Sequence, residues 1–172
     1  IETCEDLCKG MTKVKKVVEG GKERQDSVHN ALKLVEDGYV LIHDGARPCI
    51  APKTINATIE CVMQYKACIV AVPVKDTIKK VGSDGVVSET LVRNTLLSVQ
   101  TPQAFSYDLI KQSYEDIMNQ EHSYITDDAM VVEATAKVPV HVVEGCYTNI
   151  KVTTPEDLLV AERFLTSIDA YE

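Results

Sequence analysis

An aspartate and an arginine lie close together directly after an apolar run, in the segment HDGARP at positions 43–48. Open parallel sheets bind ligands at the carboxyl ends of their strands, and this segment lies at such an end if the apolar run is a strand. There Asp44 can hold Mg²⁺ against nucleotide phosphates, and Arg47 can neutralise the phosphate charge. The alternative is structural, because Asp44 and Arg47 can simply pair across a tight turn that ends in a proline.

Two glycines open a second polar segment, GGKERQDS at positions 20–27, between a predicted strand and a predicted helix. Glycine lets the backbone approach a ligand closely, and the unpaired N–H groups of a helix start attract anions. Asp26 or Ser27 can cap the helix while presenting a side-chain oxygen. The pattern is typical of an anion or nucleotide site, and a plain strand-to-helix turn with a capping residue has the same pattern.

Further polar residues fall at comparable ends of predicted elements. They are Lys75, Asp76 and Thr77, Thr101 and Gln103 on either side of Pro102, Thr126 to Asp128 at a helix start, and Lys151 in the last predicted strand. Each also has a structural explanation, since acidic residues complement a helix dipole and a lysine can be a solvated surface residue. Their shared placement at strand ends favours one common site.

The sequence lacks the usual patterns of covalent catalysis. It contains no Gly-x-Ser-x-Gly elbow, no His-Glu-x-x-His and no readable Cys-His signature. The residue types instead suit phosphoryl chemistry, in which a metal ion, lysine and arginine position the reacting groups and stabilise their charge.

Short apolar runs rich in β-branched residues alternate with segments of helical period. The runs, which we predict to be strands, are 14–18, 39–43, 67–74, 138–143 and 149–152. The predicted helices are 27–35, 52–65, 107–120, 127–135 and 155–166, the last with a start signal in Thr154, Pro155 and Asp157. This alternation predicts one domain over residues 1–172, with an α/β fold and a doubly wound, mostly parallel, Rossmann-like sheet.

Residues 77–92 break the alternation. They are typical of two short strands, the second at 86–89, joined by Gly82-Ser83-Asp84-Gly85, whose Asp-Gly pair favours a tight turn. The sequence therefore predicts a protruding β-hairpin arm within residues 75–95. A hairpin needs cover for its apolar residues, which either a second copy of the chain, giving a homodimer, or its own domain supplies.

Composition limits the class of protein and of partner. A chain of 172 residues, 45% of them hydrophobic, can bury one core. A formal charge of −8 without a long basic run argues against nucleic acid as a partner. No apolar stretch of bilayer-spanning length and no secretory signal pattern occurs, which predicts a cytoplasmic protein without a membrane partner. The six cysteines lack the spacing of a disulfide scaffold or a zinc site, so we expect reduced thiols.

Six segments resemble, in order and spacing, those of the 2-C-methyl-D-erythritol 4-phosphate cytidylyltransferases. They are GGKERQDSV, IHDGARP, VPVKDTIKKV, VRN with TPQAF, ITDDA and NIKVTTPEDLLVAE, and the likeness runs from about Val14 to the C-terminus. The resemblance implies transfer of CMP from CTP to methylerythritol phosphate with release of pyrophosphate, in the non-mevalonate route to isoprenoid precursors. It also implies a requirement for Mg²⁺ and a homodimer.

The same resemblance assigns roles to individual positions. It makes Ser27, Asp44, Gly45 and Ala46 the CTP-binding residues, with Asp44 also the metal ligand. It makes Arg47 and Lys151 the catalytic residues that contact phosphates. It makes Thr77, Arg93, Thr101 and Thr126 the residues that hold methylerythritol phosphate, with Thr77 and Arg93 coming from the arm of the second subunit.

One part of the family pattern is missing from these 172 residues. The family begins with a strand and a Gly-rich loop, carrying a basic residue and a lysine, that wraps the CTP phosphates. No Ala-Ala-Gly-x-Gly sequence occurs here, and we expect catalysis to depend on such a segment.

Three alternatives stand beside this interpretation. The ribitol 5-phosphate cytidylyltransferases share the TPQ segment and the lysine at position 151. The segments DGARP, VRN and TDDA are closer in sequence to the methylerythritol phosphate family. A non-catalytic dimeric remnant would explain the missing loop. A Rossmann-type oxidoreductase fits the α/β alternation alone, but no Gly-x-Gly-x-x-Gly follows any predicted strand.

Overall fold

The computed structural model describes residues 1–120 and 124–168. The helices are α1 (Glu2–Cys8), α2 (Arg24–Leu32), α3 (Pro52–Tyr65), α4 (Tyr107–Ile117), α5 (Asp128–Thr135) and α6 (Pro155–Ile168). The strands are β1 (Tyr39–Ile42), β2 (Ala67–Pro73), β3 (Lys79–Val81), β4 (Val87–Thr90), β5 (Leu97–Ser106) and β6 (His141–Glu144). Strands and helices thus alternate along much of the chain, as predicted.

The chain forms two compact units. The first consists of the described residues of 1–40 and 105–139, and the second of those of 41–104 and 140–172. The four-stranded sheet has the order β1-β5-β2-β6, and β2 and β6 are parallel, with Val70 opposite Val143. In the second unit α3 packs on β2 and β6, and Val62, Cys68, Val70, Ala104 and Val143 form its buried core. The α/β class is confirmed.

Two of the predicted strands are wrong, and one observed strand was missed. Residues 14–18 and 149–152 form no strand, and the long strand β5 was not predicted. At Val14 the side chain is 40% exposed, so this apolar run lacks the cover that a buried strand needs. Strand β5 was missed because it contains Gln100, Thr101 and Gln103. These residue types usually face solvent, but here they are buried.

Helix α2 begins three residues earlier than its periodicity indicated. Its N-cap is Glu23, whose backbone N–H donates to the Asp26 carboxylate at 3.1 Å, so Asp26 closes a capping box. Gly21 is required next to this turn, because a Cβ there would lie 1.9 Å from the Cβ of Asp26. Ser27 therefore lies in the first turn of α2 and not at its start.

A buried carboxylate joins three elements of the first unit. Asp128, at the start of α5, is fully buried and accepts from both terminal nitrogens of Arg24, at 3.0 and 2.6 Å. The Tyr114 hydroxyl of α4 donates to the same carboxylate at 2.6 Å. Burial first, and then the charge of Asp128, raise the pKa of Tyr114, so its hydroxyl keeps the proton that it donates.

We expect Asp128→Ala to lower the free energy of unfolding by about 3 kcal/mol, because Arg24 and Tyr114 lose their shared buried partner. Urea unfolding followed by far-ultraviolet circular dichroism measures this change. The matched control is Asp108→Ala, at an exposed acidic position in the first turn of α4, with an expected loss below about 1 kcal/mol. Equal losses in the two variants would contradict the structural role given to Asp128.

The predicted hairpin arm is present. Strands β3 and β4 pair antiparallel in a two-stranded sheet of their own, with Val81 opposite Val87. The turn follows the Asp-Gly signal, since Gly85 has φ +77° and its N–H donates to the Gly82 carbonyl at 3.0 Å. All residues of both strands are exposed.

Across residues 1–120 and 124–168, no helix combines the length and the apolar character needed to span a membrane.

Candidate active site

The loop after β1 has a fixed geometry. The Arg47 N–H donates to the Asp44 carbonyl at 2.9 Å and closes a tight turn. The Asp44 N–H donates to the Thr101 hydroxyl of β5 at 3.0 Å, and the same hydroxyl lies 3.0 Å from Nδ1 of His43. Nε2 of His43 lies 3.1 Å from the Arg47 carbonyl. The position of the Asp44 side chain is therefore set by its own backbone and by β5.

Two cations flank the carboxylate of Asp44. The Arg47 Nε and the Lys151 Nζ each lie 3.3 Å from its Oδ2. The side chains of Asp44 and Arg47 are 15% and 12% exposed, while that of Lys151 is 47% exposed. One anion between two cations leaves a local excess of positive charge in a chain whose formal charge is −8. The cluster therefore suits a phosphorylated ligand.

The loop between β6 and α6 brings Lys151 to this place although it forms no strand. The Val152 N–H donates to the Ala46 carbonyl at 2.8 Å, and the Arg47 Nη1 donates to the Asn149 carbonyl at 2.8 Å. These two bonds tie both sides of Lys151 to the loop after β1. Asp44 and Arg47 thus do pair across a tight turn, as the structural alternative has it, and Lys151 joins the pair.

A cleft of about 600 Å³ opens beside the cluster. Arg47, Lys151 and Asn149 line it together with Lys75, Tyr147 and Asp157. The Lys75 ammonium lies 3.5 Å from the centre of the Tyr147 ring, and the Tyr147 hydroxyl donates to the Pro73 carbonyl at 2.7 Å. A volume of this size accommodates a small phosphorylated molecule.

Two groups of this region have shifted pKa values. Hydrogen bonds from the backbone of Thr153 and Thr154 lower the pKa of Asp157, which therefore remains a carboxylate and caps α6, as its start signal predicted. Hydrogen bonds from Thr148 lower the pKa of Cys146. The Cys146 carbonyl accepts from Gln100 of β5 at 2.9 Å, so this residue also anchors the loop.

The structure brings four of the predicted site residues together: Asp44, Arg47, Thr101 and Lys151. Thr101 is buried, and its hydroxyl accepts from the Asp44 N–H. It therefore holds the backbone of the loop that carries Asp44. Arg93 donates to the Lys75 carbonyl at 2.8 Å and thus lies next to a residue of the cleft. Thr77, on the same arm, is exposed.

Two further predicted residues lie in the first unit. The Ser27 hydroxyl accepts from the Gly21 N–H at 3.0 Å and lies 3.2 Å from the Glu23 carbonyl, to which it donates. Thr126 is exposed, and its hydroxyl lies 3.1 Å from the sulfur of Met130. The glycine pair therefore lies against the serine that the sequence singled out, a local structure that a binding loop and a plain capped turn share.

Asn149 and Tyr147 were missed by the sequence analysis. Asn149 lies in the segment that was predicted as a strand, and Tyr147 lies just before it, in a loop without a periodic pattern. The signal that could have found them is their nearness in sequence to Lys151.

Comparison with known proteins decides the family. A sequence model described as 2-C-methyl-D-erythritol 4-phosphate cytidylyltransferase (IspD) matches residues 1–167. The chain belongs to this family.

Similar relatives carry the same description. The cytidylyltransferase of Lachnoclostridium phytofermentans is 50% identical over 157 residues, which are 91% of this chain and 67% of the relative. That of Pelotomaculum thermopropionicum is 50% identical over 155 residues, which are 89% of this chain and 64% of the relative. The chain thus spans about two thirds of the length of the curated relatives it matches.

Solved structures of the family have the same fold. The 4-diphosphocytidyl-2C-methyl-D-erythritol synthase of Anaerococcus prevotii superposes with a TM-score of 0.87 at 34% identity, over 96% of this chain and 76% of that one. The cytidylyltransferase of Thermus thermophilus superposes with a TM-score of 0.78 at 29% identity, over 90% and 79%. The family's fold therefore extends over the described cluster and cleft.

The surroundings of Asp44 in this IspD-family chain are compatible with Mg²⁺. No group of three or more His, Cys, Asp or Glu side chains suited to a metal occurs in the described part of the chain. Mg²⁺ usually keeps several waters and binds to one or two carboxylates together with substrate phosphates, so it does not need such a cage. The Asp44 carboxylate can supply the protein ligand, and Arg47 and Lys151 beside it can hold the substrate phosphates.

Proposed function

We propose that this protein transfers CMP from CTP to 2-C-methyl-D-erythritol 4-phosphate and releases pyrophosphate. The observation that carries the proposal is the Arg47–Asp44–Lys151 cluster beside a cleft of about 600 Å³. Membership of the family and the printed names of the relatives support the same reaction. The product would enter isoprenoid precursor synthesis, and we propose that the reaction takes place in the cytoplasm.

The chemistry needs no protein nucleophile. An oxygen of the methylerythritol phosphate attacks the α-phosphorus of CTP, a new P–O bond forms, and the bond to the pyrophosphate leaving group breaks. Negative charge grows on the α-phosphate during this displacement, and Lys151 and Arg47 stabilise it by charge and hydrogen bonding. Arg47 is held by the Asn149 carbonyl and by Asp44, so it needs little reorganisation as the charge develops.

We further propose that Asp44 holds Mg²⁺ when CTP is bound. The ion would neutralise the nucleotide phosphates. Asp44 is already fixed through its N–H to Thr101, which keeps its carboxylate at the edge of the sheet. We propose that Gly45 and Ala46 contact the nucleotide through their backbone, which the bond from the Val152 N–H to the Ala46 carbonyl holds in place.

The remaining assignments concern the two substrates. We propose that Ser27, at the glycine pair, binds the cytidine moiety, and that Thr77, Arg93, Thr101 and Thr126 hold methylerythritol phosphate. The Thr101 hydroxyl is bonded to the Asp44 N–H and to His43. To bind the substrate it has to give up one of these two bonds. A Gly-rich loop of the family pattern would cover the CTP phosphates.

Rates of pyrophosphate release test the proposed function. The protein is incubated with CTP and Mg²⁺ and offered methylerythritol phosphate or ribitol 5-phosphate in parallel. We expect release with the first alcohol and at least tenfold slower release with the second, about 1.4 kcal/mol of discrimination. Faster release with ribitol 5-phosphate would replace the proposed substrate, and no release with either from folded protein would favour the non-catalytic remnant.

We also propose a homodimer through the hairpin arm. Val81 and Val87 lie opposite each other and are 58% and 53% exposed, and Ile78, Val86 and Val92 are exposed on the same arm. A two-stranded hairpin with so much exposed apolar surface is marginal by itself and gains from a covering surface. Such an arrangement would bring Thr77 and Arg93 to the cleft of the second subunit.

Charged residues on the arm should therefore separate the subunits. We expect the double variant Val81→Glu, Val87→Glu to sediment as a monomer and to lose most of its turnover, because desolvating two carboxylates opposes association. Sedimentation velocity gives the mass of each species. The control is Met63→Glu on α3, an equally exposed apolar position that should stay dimeric. A parent protein that sediments as a monomer would overturn this proposal.

A further inference from the structure

Asn149 is the most deeply buried polar residue of the loop that carries Lys151. It is 1% exposed, although the loop between β6 and α6 forms no regular element there. A buried amide in an irregular loop has to be bonded, because an unpaired polar group in the interior is costly. The partners of Asn149 therefore indicate what the loop is held against.

The side chain of Asn149 is bonded to β5. Its Nδ2 donates to the Gln100 side-chain oxygen at 3.2 Å and to the Thr101 carbonyl at 2.9 Å. Gln100 in turn donates to the Cys146 carbonyl at 2.9 Å, which closes a small network between β5 and the start of the loop. Both acceptors of Asn149 are oxygens, so a donor is required at this position.

The main chain of Asn149 is bonded to one of the two catalytic cations. Its carbonyl accepts from the Arg47 Nη1 at 2.8 Å, and Lys151 follows two residues later with its Nζ 3.3 Å from Asp44. A rotation of this peptide would move the acceptor of Arg47 and the base of the Lys151 side chain together. The Asn149 amide thus fixes one peptide on which both cations depend.

We infer that Asn149 is a positioning residue for CMP transfer, which sets Arg47 and Lys151 against Asp44 through its bonds to β5. The inference rests on the proposed function for its effect on turnover, but its structural content is independent of it. Within the described residues its Oδ1 has no hydrogen-bond partner, so the donating Nδ2 is the half of the amide that carries the role.

The sharpest variant is Asn149→Asp, which keeps the size of the side chain and removes the donor. A carboxylate would face the Gln100 oxygen and the Thr101 carbonyl, two acceptors, and would be repelled. We expect turnover to fall by about 100-fold, as for a misplaced catalytic group, while KM for CTP stays within about threefold. Asn56→Asp on α3, at an exposed position, is the matched control and should leave turnover unchanged.

A double-mutant cycle separates positioning from general damage. If Asn149 acts through Arg47 and Lys151, Asn149→Asp should cost less than about threefold in the Arg47→Ala, Lys151→Ala background, because both groups that it positions are already gone. A full 100-fold loss in that background would overturn the inference. Should Asn149→Asp fail to fold, Asn149→Ser, which retains one donor, is used in the same cycle.

Chemical labelling gives a readout that does not need activity. Acetic anhydride acetylates the lysine side chains that it can reach, and mass spectrometry follows each lysine. In Asn149→Asp we expect the acetylation rate of Lys151 to rise at least threefold because its Nζ leaves Asp44 and becomes more accessible, while that of exposed Lys13 stays the same. An unchanged rate at Lys151 would overturn the inference even in an active protein, and a raised rate would support it even if no CMP transfer were found.

Discussion

Lys151→Ala lowers the turnover of CMP transfer by about 100- to 1,000-fold, the usual cost of removing one preorganised donor to a developing oxyanion. The side chain is 47% exposed and lies at the rim of the cleft, where it can reach a phosphate oxygen without moving the loop that carries it. The free energy of unfolding changes by less than about 1 kcal/mol, because a half-exposed ion pair contributes little to stability. Steady-state kinetics and urea unfolding of the same preparation measure both quantities.

A loss of turnover without a matching loss of unfolding free energy is what identifies a catalytic role for Lys151. Lys13→Ala, at an exposed lysine outside the cleft, is the matched control and should leave both unchanged. Arg47→Ala should lose as much turnover, but with a larger loss of stability, because Arg47 is only 12% exposed and also bonds the Asn149 carbonyl. A Lys151→Ala protein that loses activity only in proportion to unfolding would contradict its catalytic role.

Asp44→Asn should make the reaction depend much more strongly on Mg²⁺. The substitution keeps the size of the side chain but removes the one negative charge between Arg47 and Lys151. Without that charge the site binds a hard cation more weakly and repels it through the two unbalanced cations. We expect turnover at low Mg²⁺ to fall by at least about 100-fold, with partial recovery as Mg²⁺ is raised.

A magnesium titration of initial rates measures this effect. Asp76→Asn is the matched control, since it removes a carboxylate from the same cleft and leaves the Arg47–Asp44–Lys151 cluster intact. Its Mg²⁺ dependence should equal that of the parent protein. The same half-saturating Mg²⁺ concentration in Asp44→Asn and the parent would sink the assignment of Asp44 as the metal ligand.

The fold could be predicted as far as local patterns determine it. Helix α3 was predicted with its observed bounds, because Pro52 suits its first turn and its apolar residues have a helical period. Strand β5 escaped prediction because Gln100, Thr101 and Gln103 are polar, and only tertiary partners such as the Cys146 carbonyl allow them to be buried. Burial of polar residues depends on distant groups that a pattern does not reveal.

The sequence predicted which residues form the site, but not the contacts that bring them together. Asp44 and Arg47 are close in sequence, so their meeting required only a turn. Lys151 reaches them across about a hundred residues, and the peptide of Asn149 that guides it has no periodicity to mark it. The hairpin was predictable because the Asp-Gly turn is a local signal, whereas a turn carries no information on whether the arm has a partner.

The most direct test of the proposed reaction is the structure of its product. The protein at its natural length is incubated with CTP, methylerythritol phosphate and Mg²⁺, and ³¹P nuclear magnetic resonance follows every phosphorus. The account predicts free pyrophosphate together with two coupled resonances of a new diphosphate that joins cytidine to methylerythritol. Formation of CDP in place of pyrophosphate, or unchanged CTP and methylerythritol phosphate beside folded protein, would contradict it.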